Sequence, residues 1–208
     1  MKKIVTILST VLLVVLMLTG VGQALPIQGA IWEPADSSAE DPSLGPPANV
    51  GPKATFTVDS LDFDSQRTTI TYDTWLKGAT SGNPNGLVWL TDPTNIKNSF
   101  YTSTEHGTFF QFIGTAYFSA NVVITHDDGF WLNLGGTVYD FSTPTTPIST
   151  TLNNQAGTYA FTLNYGAWNG FPEVLQVPDS SAVPEPTTML LLGLGLVGIA
   201  GVRRKFKK

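Results

Sequence analysis

Asp127 and Asp128 stand side by side in Thr125-His126-Asp127-Asp128-Gly129-Phe130-Trp131-Leu132. Two adjacent carboxylates before a glycine suit a turn, and carboxylate oxygen is also a donor that a hard cation such as Ca²⁺ accepts. That ion takes six to eight oxygen ligands, so two aspartates need help from neighbouring loops. Asn133, Asp140, Asn153-Asn154 and Asn169 are candidates for that help. Trp131 and Trp168 could each offer an apolar face to a sugar ring, and each could equally be core. The same segment also reads as a plain hairpin, with Asp128-Gly129 turning the chain and Asp127 capping its backbone. Both readings remain open on the sequence.

Other chemistries have fewer parts. Zero cysteines exclude a disulfide framework, a thiolate metal site and a cysteine nucleophile. The two histidines, His106 (beside Glu105) and His126, lie twenty residues apart and match no zinc spacing. Asp59, Asp62, Asp64 and Asp73 could in principle furnish the carboxylate pair of a glycoside hydrolase, but no spacing selects two of them. No Gly-x-Ser-x-Gly elbow is present. The chain therefore reads as a non-enzyme. Its sixteen acidic residues all lie between Glu33 and Glu185, against only Lys53, Arg67, Lys77 and Lys97. A middle carrying a net charge of −12 is no partner for nucleic acid.

The elements that must position Asp127 and Asp128 read as short strands. Ala54–Val58, 67–76, Leu87–Leu90, Ser99–Ser103, Thr108–Phe118, Ala120–His126, Phe130–Leu134, Thr137–Phe141, Thr158–Tyr165 and Glu173–Val177 are β-rich runs. Asn83-Pro84-Asn85-Gly86, Asp128-Gly129, Gly135-Gly136 and Asn169-Gly170 punctuate them. No sustained 3.6-residue apolar repeat competes, and the expectation is an all-β antiparallel β-sandwich over residues 54–182. Residues 25–53 read as a Pro-rich lead-in or linker, within which Ile27–Trp32 could form an edge strand.

Both ends read as addresses. Lys2 and Lys3, an apolar run from Ile4 to Leu18, and small Gly22 and Ala24 make residues 1–24 a secretory signal helix. At the other end, residues 187–202 carry no charge and precede Arg203-Arg204-Lys205-Phe206-Lys207-Lys208. A helix of that length reaches about 24 Å at roughly 1.5 Å per residue, enough to span a bilayer with snorkelling bases. The basic flanks at both ends place the middle outside the inner membrane. Gly193, Gly195 and Gly198 have dinucleotide-fingerprint spacing, but no strand precedes them.

Val183-Pro184-Glu185-Pro186, the apolar span and the basic cluster together resemble the PEP-CTERM sorting signal, over residues 183–208. The two prolines keep the motif extended. The resemblance implies processing by an exosortase-type enzyme and a Gram-negative, exopolysaccharide-making host, with a place at the cell surface or in a biofilm matrix. A second resemblance spans about residues 108–177. Gly114-Thr115-Ala116-Tyr117-Phe118, the Asp-Asp-Gly segment, Ala156-Gly157-Thr158-Tyr159, Leu163-Asn164-Tyr165, Gly170 and Val174-Leu175 together resemble a diverged PA14 β-sandwich. In its sugar-binding members the Asp pair holds Ca²⁺, and the ion holds vicinal sugar hydroxyls. The resemblance thus implies Asp127 and Asp128 as calcium ligands and an exopolysaccharide or other glycan as partner. The alternatives are a secreted polysaccharide hydrolase and a purely structural matrix component.

Overall fold

The computed structural model describes residues 26–33, 35–64, 71–78, 85–95, 107–118, 120–143, 146–153, 155–168, 173–177 and 181–182. Both terminal helices expected from the sequence, the sorting motif and the run Ser99–Ser103 lie outside them. Among the described residues no helix is long and apolar enough to cross a membrane. Pro26–Val183 forms one compact unit.

The strands are β1 (Ile27–Trp32), β2 (Ala54–Val58), β3 (Asp62–Asp64), β4 (Val88–Trp89), β5 (Thr108–Phe118), β6 (Asn121–His126), β7 (Phe130–Leu134), β8 (Thr137–Phe141), β9 (Ile148–Asn153), β10 (Gly157–Ala167), β11 (Val174–Gln176) and β12 (Ser181–Ala182). Among the described residues two short α-helices join them, α1 (Asp36–Glu40) and α2 (Tyr72–Leu76). Among the described residues the strands form two antiparallel sheets. The larger runs β4-β2-β1-β5-β10-β7-β8, with β12 also on β5, and the smaller runs β3-β11-β6-β9.

Period-two alternation gives strands such as β2, β6 and β7 one apolar face, and the apolar faces of the two sheets meet. Phe110, Phe112 and Phe118 on β5, Phe161, Leu163 and Tyr165 on β10, and Phe130, Leu132 and Leu134 on β7 point into one core. Phe63, Val122, Ile124 and Leu175 answer from the smaller sheet. Phe63 stacks on Phe112 with ring centroids 5.3 Å apart, one contact that bridges the sheets.

Three sequence expectations change. The expected strand over 67–76 is, in its described part, the helix α2. Thr71 caps it by accepting a hydrogen bond from the Thr74 N–H at 3.1 Å, and Lys77 pairs with Asp73 at 2.7 Å. Tyr72, Trp75 and Leu76 then fall on one helical face and are fully buried. Ile27–Trp32 is not an edge strand, because β1 lies between β2 and β5 in full register with both. The Pro-rich lead-in is part of the domain. Helix α1 packs on the outer face of β5 and β10, where the Ala35 N–H donates to the Gly107 carbonyl at 3.0 Å. Its Ala39 backbone lies so close to Gly166 that any Cβ there would collide. Trp32, Ala35 and Phe109 make a second small core beneath it.

Candidate functional site

The Asp-Asp-Gly segment is a corner between sheets rather than a hairpin. It leaves β6, which pairs with β9 and β11, and enters β7, which pairs with β8 and β10. Turning that corner takes a left-handed residue, and Asp128 supplies it with φ 62°. Asp tolerates that region better than most residues because its short side chain can bond locally. Gly129 follows because a Cβ there would sit on the Ser142 carbonyl. Gly135 and Gly136, by contrast, make a true two-residue hairpin between β7 and β8, both with positive φ.

Both aspartates are buried, Asp127 at 5% and Asp128 at 1% exposure, where an exposed pair would suit direct contact with a ligand. The corner is tied down from several sides. The Asp127 N–H donates to the Val174 carbonyl (2.9 Å), and Asp127 Oδ1 accepts from the Asp128 N–H (3.1 Å). Asp128 Oδ2 accepts from the Trp168 N–H at 2.6 Å, and the Gly129 carbonyl accepts from the Gly166 N–H at 3.0 Å. The two carboxylates thus lie against the end of β10 and the start of β11, a second crossover between the same two sheets.

That second crossover contributes a residue the sequence reading missed, Glu173. It is fully buried, and burial pushes its carboxyl well above the ordinary carboxylate range, with Asp128 and Asp127 raising it further. Tyr165 Oη donates to Glu173 Oε2 at 2.9 Å, and Trp75 Nε1 donates to the Glu173 carbonyl at 2.9 Å. Burial and the same three carboxylates hold the Tyr165 phenol well above its usual value. A glutamate opening an apolar strand, directly before Val174-Leu175, was the available signal.

His126 is a structural residue of the corner. Its Nδ1 lies 2.8 Å from the Asp128 carbonyl, which can only accept, so Nδ1 carries the proton. Nε2 then accepts from Thr150 Oγ1 at 3.3 Å. Burial lowers the imidazole below its ordinary pKa and keeps it neutral.

The remaining candidates disperse. Asn133 lies three residues along β7 from Phe130, on the order of 10 Å from the corner, and its Oδ1 caps the Gly136 N–H at 2.9 Å. Trp131 is half-buried on the outer face of β7, opposite Asp140 on β8. Asp140 Oδ1 accepts from the Ser142 N–H, and Asn153 is exposed at the end of β9. Trp168 is brought to the corner through its backbone, and its ring packs over Gly107. Asn154, Asn169, Glu105 and His106 lie outside the described residues. Asp62 accepts from Gln176 Nε2 and Asp73 from Lys77 and Trp89 Nε1.

For calcium, Asp127 and Asp128 offer the right donor type, carboxylate oxygen. No group of three or more His, Cys, Asp or Glu among the described residues is arranged to hold a metal. The balance of six to eight ligands would therefore have to come from backbone and amide oxygens.

No match was found among curated proteins. Among solved structures, the chain is similar to a PA14 sugar-binding domain from an RTX adhesin, at 15% identity and TM-score 0.48, over 74% of this chain and 88% of that one. It is also similar to the PA14 domain of the MpAFP antifreeze protein, at 19% identity and TM-score 0.46, over 76% and 91%. A GH31 alpha-xylosidase from Xanthomonas citri matches at 9% identity and TM-score 0.37, over 73% of this chain and 13% of that one. Residues 182–205 match the PEP-CTERM protein-sorting motif, the signal on which the chain's export and membrane tethering rest.

Proposed function

We propose that this chain is an exported protein of the cell surface or exopolysaccharide matrix that binds a carbohydrate through calcium held at the Asp127-Asp128 corner. The sorting motif supports export and exosortase processing. The observation that supports the binding reading is the adjacency of Asp127 and Asp128 at one corner, held there by the Asp128 and Trp168 N–H groups, with backbone and amide oxygens left to complete the coordination. Paired carboxylates gain from a divalent cation, and calcium held there would carry the contact to sugar hydroxyls that the buried aspartates do not make directly. The protein's own part is to hold Asp127 and Asp128 by backbone bonds from Asp128 and Trp168, leaving little reorganisation for binding.

Calorimetry tests this on residues 26–183. A ligand that binds only the folded state stabilises by about 2.7 kcal/mol at a hundredfold excess over its Kd. Millimolar calcium should raise Tm by roughly 5–10 °C for a domain of this size, and magnesium by less. Asp127→Asn with Asp128→Asn should abolish the shift, and a glycan array should then lose any calcium-dependent signal. A melting curve indifferent to calcium would reduce the corner to architecture.

A further inference from the structure

Edge strands present unpaired backbone groups, and proteins blunt them with charge, proline or brevity. Among the described residues, three of the four end strands of the two sheets follow that rule. Edge strand β3 has three residues, two of them Asp62 and Asp64; β4 has two residues; β8 carries Asp140. The fourth edge does not. Strand β9 runs six residues, Ile148-Ser149-Thr150-Thr151-Leu152-Asn153, with neither a charge nor a proline. It pairs with β6 along its whole length on one side, and among the described residues no strand lies on the other. Ile148 is 50% exposed although it lies on the same face as buried Leu152. The neighbouring outward residues of β6, Asn121, Val123 and Thr125, are uncharged too.

We propose that β9 is an assembly edge that pairs antiparallel with β9 of a second copy of this chain. The occupant follows from the sequence of the strand. In a two-fold pairing centred on Thr150, Thr150 faces its own copy, Ser149 faces Thr151, and Ile148 faces Leu152. Residues opposite one another in an antiparallel ladder share a face, so each exposed Ile148 is covered by a Leu152 and both inner faces stay inner. A strand that matches itself in this way makes an isologous contact. The neutrality of this edge, in a domain otherwise so acidic, removes the repulsion that would oppose it. One strand pair is a small interface, so the contact is weak in dilute solution and gains from tethering to a common surface.

The absence of native cysteine makes the test direct. Thr150→Cys in the full exported chain should give a disulfide-linked dimer on mild oxidation, because the two Cα atoms approach within disulfide reach. Thr158→Cys, on the outer face of the larger sheet, is the collision control and should give about tenfold less. Adding Ser149→Lys and Thr151→Lys to Thr150→Cys sets lysines opposite one another and should suppress the crosslink, with circular dichroism confirming the fold. The proposal is overturned by a folded Thr150→Cys chain that stays monomeric, by equal crosslinking of the control, by a crosslink that survives the lysines, or by adducts to other proteins in place of the dimer. Thr150 Oγ1 also donates to His126 Nε2 beside the Asp127-Asp128 corner, so the trap is run with calcium and with chelator, and the dimer should form in both.

Discussion

A carboxylate with no exposed surface beside two others must give up its charge or gain a cation. Glu173 is held in the protonated direction by burial first and by Asp128 and Asp127 next. Its folded pKa is raised, so its contribution to stability is complete below its unfolded value, about 4.3, and is lost as pH rises through the folded value. His126 has the opposite sign: burial lowers its folded pKa, so its contribution is present above about 6.5 and is lost as pH falls through the depressed value. Glu173→Gln keeps an acceptor for the Tyr165 hydroxyl and removes the ionisation. The variant should therefore gain on the wild type steadily as pH rises from 5 to 8, read as the difference in urea midpoint, and parallel curves would exclude the assignment. Calcium at the corner should help the wild type more at pH 8 than at pH 5.5, since a nearby cation supports the charged form. Asp127 and Asp128 were legible because their adjacency is local. Glu173 was not, since 45 residues separate it from Asp128 and only the folding of β10 and β11 brings them together.

Helix α2 plugs the space between the sheets next to that cluster. Trp75 lies 4.7 Å from Phe63, 5.0 Å from Phe110 and 5.7 Å from Tyr165, ring centre to ring centre, and its N–H holds the Glu173 carbonyl. Trp75→Phe keeps most of the packing but drops the hydrogen bond and leaves a small void. That should cost about 1–3 kcal/mol, or roughly 3–10 °C in Tm for a domain of this size. Thr71→Ala removes only the cap and should cost about 1 kcal/mol. If Trp75→Phe proved no worse than Thr71→Ala in the same melts, the plug would carry less than its position implies. The element also explains a misreading. Thr69-Thr71-Tyr72-Thr74-Trp75 is a β-rich composition, and tertiary packing of three side chains overrides that propensity. Strands β5, β7 and β8 were legible to the residue, because each is rich in aromatic or β-branched residues and ends at Gly or polar residues. Strands β3 and β9 were not, the first too short to show a period and the second almost without large apolar residues.

From β5 onward the described strands change sheet at nearly every step, and β7–β8 alone is a consecutive pair within one sheet. Turn residues announce that the chain reverses and say nothing of which sheet it enters, which is why Asp128-Gly129 read as a hairpin. The same topology brings the domain's two ends together. The pairing of β1 with β5 starts at Gln28 opposite Ile113, and Ile27 Cα lies against Gly114. Strand β12 ends with Ala182 opposite Ala116 on the same edge of β5, and both strands run antiparallel to β5. Ala182 and Ile27 are therefore collinear, about two residue steps or roughly 7 Å apart. The chain enters the domain just after the expected signal junction and leaves it just before the sorting motif, at one spot. Termini so placed permit circular permutation. Joining Ala182 to Ile27 through two or three glycines, with new ends opened at the exposed Gly135-Gly136 turn, should give a folded domain. Severing one hairpin and closing one strand nearly offset each other, so its Tm should fall by no more than about 10 °C, a few kcal/mol at this size. The same junction with new ends cut inside β10, between Phe161 and Leu163, should not fold, because that strand pairs with both β5 and β7. If the Gly135-Gly136 permutant failed to fold while a permutant with a linker of about fifteen residues succeeded, the two ends would be far apart, and the head-to-tail placement of β12 and β1 would be wrong.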